Sequence, residues 1–503
     1  MNRDDEAARA LSRLGYAQEL LRSMGGFSSF ALSFSIISVL TGIFSTYTQG
    51  LKSGGPAALG LGWPLVACGT MLVALAMAEL ASAFPTAGAL YHWSALLGGP
   101  GAGWFTAMMN ISGQIAAIGA IDLACAQTAI ATFGLPMTTP YALFVIVVAS
   151  HAAFNVVSIR LVAILNDFSA TVHVVGVVVL VAALFALGRA QPIGFLAHTG
   201  FTTRADGVWP LGFAQALVVG MWTFTGYDAS AHASEETHDP ARRAPRGIVS
   251  AVAISAIAGY AVIVALTLAI RDLPASVAHG SVELLVLEQS LGARAATATM
   301  TLVVAAMWFC GLSSVTSTSR TLYAFARDAG FPGAAHVRRV HTRLRTPHVA
   351  IAVAAVLPVG LVLSTAPFRE EILLAIATLA TTALYASYAL PIALGAVARS
   401  RGRWRHVGPW NLGRVGVPIA WCAVAWAACV LGVSALADPL SAKMLVAICG
   451  ALGALWLLYV RRRFRGPKIA LEAFEQDADT QNARPPSSAR KGGAKLGGVD
   501  EAE

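Results

Sequence analysis

The stretch Trp222-Thr223-Phe224-Thr225-Gly226-Tyr227-Asp228 decides the fold. It sits within a predominantly apolar run over 209–238, and puts a Thr-Gly pair and a carboxylate in the middle of it. Glycine costs ~1 kcal/mol in a helix interior, and backbone groups freed by a break cannot be left facing lipid. A second stretch, Ser38-Val39-Leu40-Thr41-Gly42-Ile43, repeats the Thr-Gly pair five apolar segments earlier and exits through Gly50, Gly54, Gly55 and Pro56. Interrupted helices at matching places in two halves of a chain point to a binding site at the bilayer midplane. Small residues of this kind also serve simple helix packing; the matched placement favours the break.

Around these stretches the 503 residues are 56% hydrophobic and 12% charged, where a soluble domain carries about 25% charged. The mean hydropathy is +0.66. A soluble multi-domain enzyme, a disordered chain, a fibrous protein and a nucleic-acid binder all fit poorly. A bilayer core needs roughly 20 apolar residues per helix. Twelve such spans lie near 28–49, 60–82, 103–133, 138–158, 163–188, 209–238, 246–270, 296–326, 347–365, 371–398, 415–435 and 440–460. Long Ala/Leu/Val runs, rather than short alternating strands, exclude an outer-membrane barrel. The chain therefore reads as an all-α, polytopic membrane protein. Residues 1–22 are polar and the first apolar run is a full span, so no cleavable signal peptide is expected.

The net charge of +9 belongs to orientation rather than to a polyanion partner. With the N-terminus cytoplasmic, 28 of the 35 Lys and Arg fall in cytoplasmic segments and 7 outside, as the positive-inside rule requires. Both termini are expected in the cytoplasm, with the protein in the inner (plasma) membrane. Cys68, Cys125, Cys310, Cys422, Cys429 and Cys449 lie in or near spans without metal-ligand spacing and read as packing residues. Residues 466–503 read as a disordered tail.

The segment Leu14-Gly15-Tyr16 with Gln18-Glu19-Leu20, then Phe27 through Ser35, resembles the start of the amino acid/choline transporters. These are the GABA permease-like family of the amino acid–polyamine–organocation superfamily. The resemblance continues through Thr41-Gly42-Ile43-Phe44, Gly54-Gly55-Pro56, Ala78-Glu79-Leu80-Ala81-Ser82 and Pro85-Thr86. Its most specific element is Gly226-Tyr227-Asp228-Ala229-Ser230-Ala231-His232 with Ser234-Glu235-Glu236, and Ser319-Arg320 through Pro332 completes it. It covers spans one to eight; the last four match only in hydropathy. The resemblance implies a leucine-transporter-like, five-plus-five inverted repeat with spans one and six broken. The repeats would occupy 28–188 and 209–398, after an N-terminal arm at 1–27, with peripheral spans at 415–460.

The same resemblance implies a substrate site at the two breaks, drawing on Ser38, Thr41, Gly42, Ile43, Gln114, Trp222, Thr225, Gly226, Tyr227 and Asp228. A half-helix N-terminus favours a substrate carboxylate, and an aromatic at Trp222 would cover the substrate. Asp228 suits either an amine partner or an N-cap of the second half-helix. His173, mid-span in five, fits the place where sodium-independent members carry a basic residue, and its ordinary pKa suits a proton relay; a neutral histidine bonded to a neighbouring helix is the alternative. Asn110, Gln114 and Asp122 share one helix face by spacing, with Asp122 either a proton or cation site or a buried acid satisfied by Ser/Thr hydroxyls. Ser313, Ser314 and Ser317 offer oxygens to sodium, or to their own helix. Glu235, Glu236, Arg242, Arg320 and Arg327 sit at the cytoplasmic ends of spans six and eight, where opposite charges can form an inner gate if partly buried.

No Gly-Lys-Ser/Thr phosphate loop and no His-Glu-x-x-His zinc motif occurs. An ATP-driven pump and a metalloenzyme are therefore not expected, and no cofactor or metal is anticipated. The expected partners are a small amino acid or amine such as GABA, a proton or sodium, and lipid. Choline, ethanolamine or polyamine transport, and a non-transporting nutrient sensor, remain as alternative functions.

Overall fold

The computed structural model describes residues 14–136, 139–199, 209–365 and 372–468, with 8, 9, 11, 12 and 471. Among the described residues the fold is all-helical, with no β-strand and one isolated bridge between Met24 and Thr237. Helix α1 (Gly26–Ile37) and α2 (Val39–Ala83) are separated by Ser38 alone. Next come α3 (Leu90–Gly98), α4 (Pro100–Phe133), α5 (Tyr141–Val157) and α6 (Ile159–Ala183). Helices α7 (Trp209–Ala216), α8 (Val218–Thr223) and α9 (Ala229–His232) form an interrupted run before α10 (Pro240–Leu268). Short α11 (Leu273–Ala278) and α12 (Val282–Leu291) lead to α13 (Ala293–Arg327) and α14 (Ala334–Val337). Helices α15 (His348–Thr365), α16 (Ile372–Ser400), α17 (Gly416–Ala437) and α18 (Pro439–Leu458) are the last long helices among the described residues.

Nine helical segments among the described residues are long and apolar enough to cross a membrane, and Tyr141–Val157 and Leu211–Thr223 are shorter apolar helices. The first segment runs from Gly26 to Ala83. It leaves the helical conformation at Ser38 (φ 36°, ψ 79°) and at Gly55 (φ 70°, ψ −173°), immediately before Pro56. Gly55 takes the positive φ that only glycine adopts without steric cost. The protein is therefore a multi-pass helical membrane protein. Outward-facing Ile146, Ile164, Phe168, Val179, Ile257 and Val356 are exposed on its girth, where lipid tails replace water as solvent.

One expectation about the helices changes. The break in span one falls at Ser38, three residues before Thr41, so Thr41 and Gly42 lie in the first turn of α2. The nine-residue α3, between the second and third expected spans, is buried against α4 and α16. The expected tail from 466 lies outside the described residues beyond 468, apart from 471. The core forms where α10 packs along α2 and α16 along α4, which sets the two interrupted helices side by side.

Candidate functional site

The two breaks meet. Gly42 abuts the side chain of Thr223, and a Cβ at either Gly42 or Gly226 would collide with its neighbour, Thr223 or Ile36 respectively. Gly226 also has φ 80°, so both its backbone and its surroundings call for glycine. Ser33 on α1 donates to the Tyr227 carbonyl (2.8 Å) and accepts from the Ser230 N–H (3.0 Å). The first half of one broken helix is thus bonded to the second half of the other.

A helix cannot satisfy its first N–H groups internally. At the start of α2, the Leu40 N–H donates to His173 Nε2 (3.2 Å), while the Ser38 and Thr41 hydroxyls are 2.6 Å apart. Beside this turn lies a cavity of about 300 Å³ lined by Thr41, Ser45, Gln49, Gln127, Trp222 and apolar residues of α4 and α16. Trp222 Nε1 donates to Ser45 (3.4 Å) across it. Through shared Ser45, Ala124 and Gln127 it adjoins a second recess of about 460 Å³ that reaches Glu283 and Glu288. Burial pushes the Glu283 carboxyl up in pKa, against the donations it accepts from Ser281 and Thr48.

Of the expected substrate residues, Thr41 and Trp222 line this cavity; Ser38, Gly42, Ile43, Gln114, Thr225, Gly226, Tyr227 and Asp228 are not among its lining. Thr225 donates back to the Trp222 carbonyl (2.9 Å). The Asp228 side chain caps no helix N–H. It accepts instead from Tyr388 (3.0 Å) and Asn110 (3.3 Å) and lies 3.1 Å from His232 Nε2. Gln114 bonds Asn110 (2.7 Å) in the same cluster.

Asp122 is buried, but its partner is His151 (3.2 Å) on α5 rather than a hydroxyl. Ser313 and Ser314 donate to their own helix at Phe309 and Cys310 (2.9 and 2.8 Å), with Ser313 also 2.7 Å from Asn166; Ser317 is buried on the same helix. His232 and Tyr388 carry contacts that the sequence reading missed. The i,i+4 spacing of Asp228 and His232 was a visible signal; Tyr388, distant in sequence, left none.

At the far end two bidentate ion pairs close the helices. Arg320 grips Glu236 (2.9 Å twice) and Arg327 grips Glu235 (2.8 and 3.0 Å), all four almost wholly buried. Arg242 takes no part: it pairs with Asp239 at 3.6 Å and is half exposed. The N-terminal arm lies over these pairs. Gln18 donates to the Glu235 carbonyl (2.7 Å), Ser23 and Met24 donate to the Glu236 carbonyl (2.9 Å each), and the Arg327 guanidinium stacks on Tyr16 at 3.8 Å. Beside them, burial works against ionisation of Asp328, yet contacts with His92, Tyr16 and Tyr91 hold its carboxyl below the usual range.

A family model described as amino acid permease matches residues 24–455. The chain is 36% identical to the amino-acid permease BAT1 homolog of Oryza sativa subsp. japonica, covering 93% of this chain and 96% of the relative. It is 34% identical to the amino-acid permease BAT1 of Arabidopsis thaliana, over 92% and 96%. It is also 29% identical to the GABA-specific permease of Saccharomyces cerevisiae, over 83% of this chain and 76% of that one.

Proposed function

The chain belongs to the amino acid permease family, and on that premise we propose that it is a secondary active transporter importing an amino acid or related amine such as GABA by alternating access, driven by protons. The observation that carries this reading is the contact between the two broken helices beside the cavity of about 300 Å³ lined by Thr41 and Trp222. Twelve spans in a five-plus-five inverted repeat, with both termini cytoplasmic in the plasma membrane, complete the proposal.

The cavity lining contains no charged side chain. A substrate carboxylate is favoured at the N-terminal turn of α2, where helix N–H groups and the dipole favour an anion. An ammonium group suits the Trp222 face and the Gln49 and Gln127 carbonyls. A molecule carrying both charges uses both. The buried Glu235–Arg327 and Glu236–Arg320 pairs serve as the inner gate, while the Glu283 recess forms the outer approach.

Proton coupling is favoured because His173 accepts the Leu40 N–H directly at the break. A proton on Nε2 removes that acceptor and frees the first turn of α2. Asp122, paired with His151, is a second proton candidate.

Uptake into proteoliposomes tests the reading. Accumulation of a labelled amino acid, GABA, choline or polyamine under an inward proton gradient is the expected result. Binding without movement of any of these under any ion gradient would instead favour the sensor.

A further inference from the structure

His232 and Asp228 form a buried pair 3.1 Å apart, their side chains 0% and 1% exposed. The surroundings of the ring fix where its hydrogens sit. Nδ1 lies 3.1 Å from the Ala87 carbonyl and 3.0 Å from Thr321 Oγ1. A carbonyl can only accept, and the Thr321 hydroxyl has the Ser317 carbonyl to donate to at 3.1 Å. Nδ1 therefore carries a hydrogen. A bare Nε2 would then set its lone pair against Asp228 Oδ2, itself an acceptor from Asn110. The Gln114 amide at 3.4 Å is the weaker neighbour.

We propose that Asp228 and His232 together bind one proton, shared between Oδ2 and Nε2, and that this site is the proton store of the second broken helix. The proposal rests on the proton-driven reading above. Written as imidazolium with carboxylate, or as imidazole with carboxylic acid, the pair is electrically neutral. Removing the proton, with the N–H bond or the O–H bond broken and the proton passed to water, leaves a net negative charge in an interior that strongly disfavours it. Release therefore requires opening.

The geometry also shows what must open. The Ala87 carbonyl accepts from the ring, and the Ala87 N–H donates to Glu235 Oε1 at 3.1 Å. One peptide thus joins the proton pair to the Glu235–Arg327 gate. The titratable groups facing the pair are Tyr388 from α16, bonded to Asp228, and Tyr227 beside it. The nearby cations Arg320 and Arg327 are committed to Glu236 and Glu235. The site holds its proton while the gate is closed and gives it up when the gate parts.

Solid-state NMR of the full-length protein in lipid nanodiscs, with histidine rings labelled in nitrogen-15, tests this with the proton alone as ligand. The His232 signals are assigned by their loss in His232→Gln. The expected spectrum shows hydrogen on Nδ1 and a shared proton at Nε2, and Asp228→Asn converts it to a single N–H tautomer. Glu235→Gln, which weakens the gate, should speed exchange of the Nε2 hydrogen with deuterated water about tenfold. A bare Nε2 in the wild type at neutral pH, or a spectrum indifferent to Asp228→Asn, overturns the site. An unchanged exchange rate in Glu235→Gln overturns its link to the gate. No transported solute is involved, so a failed uptake assay refutes the import reading and leaves this result standing on its own.

Discussion

Gly42 and Thr223 touch where the two interrupted helices cross, so closely that no Cβ fits between them. Gly42→Ala should force the helices apart at an overpacking cost of about 1–3 kcal/mol, and reduce uptake at least tenfold while the protein still reaches the membrane. Thr223→Gly in the same chain should restore most of the loss, because it removes the side chain the new methyl strikes. Uptake measured in the single and double variants checks both statements.

Trp222 walls the cavity beside Thr41. Trp222→Ala should raise the apparent substrate constant about thirtyfold, the equivalent of ~2 kcal/mol for a buried aromatic anchor, with expression retained. Concentration-dependent uptake measures it; an unchanged constant removes Trp222 from the site.

His173 accepts from Leu40 at the first break. His173→Ala should abolish accumulation driven by an inward proton gradient. If uptake follows sodium strictly and tolerates the substitution, His173 has no part in coupling.

Arg320 is buried against Glu236, their side chains 1% and 0% exposed. Arg320→Ala leaves a carboxylate unpaired and should cost about 3–5 kcal/mol, whereas an apolar pair such as Arg320→Met with Glu236→Leu should be far milder. Thermal unfolding in detergent compares the two.

The depressed pKa of Asp328 fixes a pH dependence. A carboxyl held lower in the folded state than in the unfolded one stabilises fully above its unfolded pKa of about 3.9 and loses that stability as pH falls through the folded value. Wild-type protein should therefore lose stability in acid below about pH 4, and Asp328→Asn should lose that component of the pH dependence. At neutral pH the variant should be weaker by about 1–3 kcal/mol, since Tyr16 and Tyr91 lose a charged acceptor. Melting curves recorded against pH show both effects.

How much was legible in the sequence follows from range. Thr225-Gly226 was readable because a glycine in an apolar run is a local anomaly, and the break stands there. At the other break the same Thr-Gly signal pointed three residues too far along. Ser38 carries the positive φ, and serine announces no such conformation. The Glu235, Glu236, Arg320 and Arg327 cluster was visible as charges near span ends. That Arg327 chooses Glu235, that Arg320 chooses Glu236, and that Arg242 turns away required the helices to be in place.

The sequence by itself determined that the chain is helical and membrane-embedded, and where its helices are interrupted to within a few residues. Hydropathy and glycine placement act along the chain and need no neighbours. The tertiary structure alone decided that Asp228 faces Tyr388, Asn110 and His232 rather than the cavity, that Asp122 is answered by His151, and that His173 reaches Leu40. Each is a hydrogen bond between side chain or backbone groups brought together by packing. A buried polar group must find a partner, but its identity is set by which helix face arrives within 3 Å or so, and the order of residues does not record that.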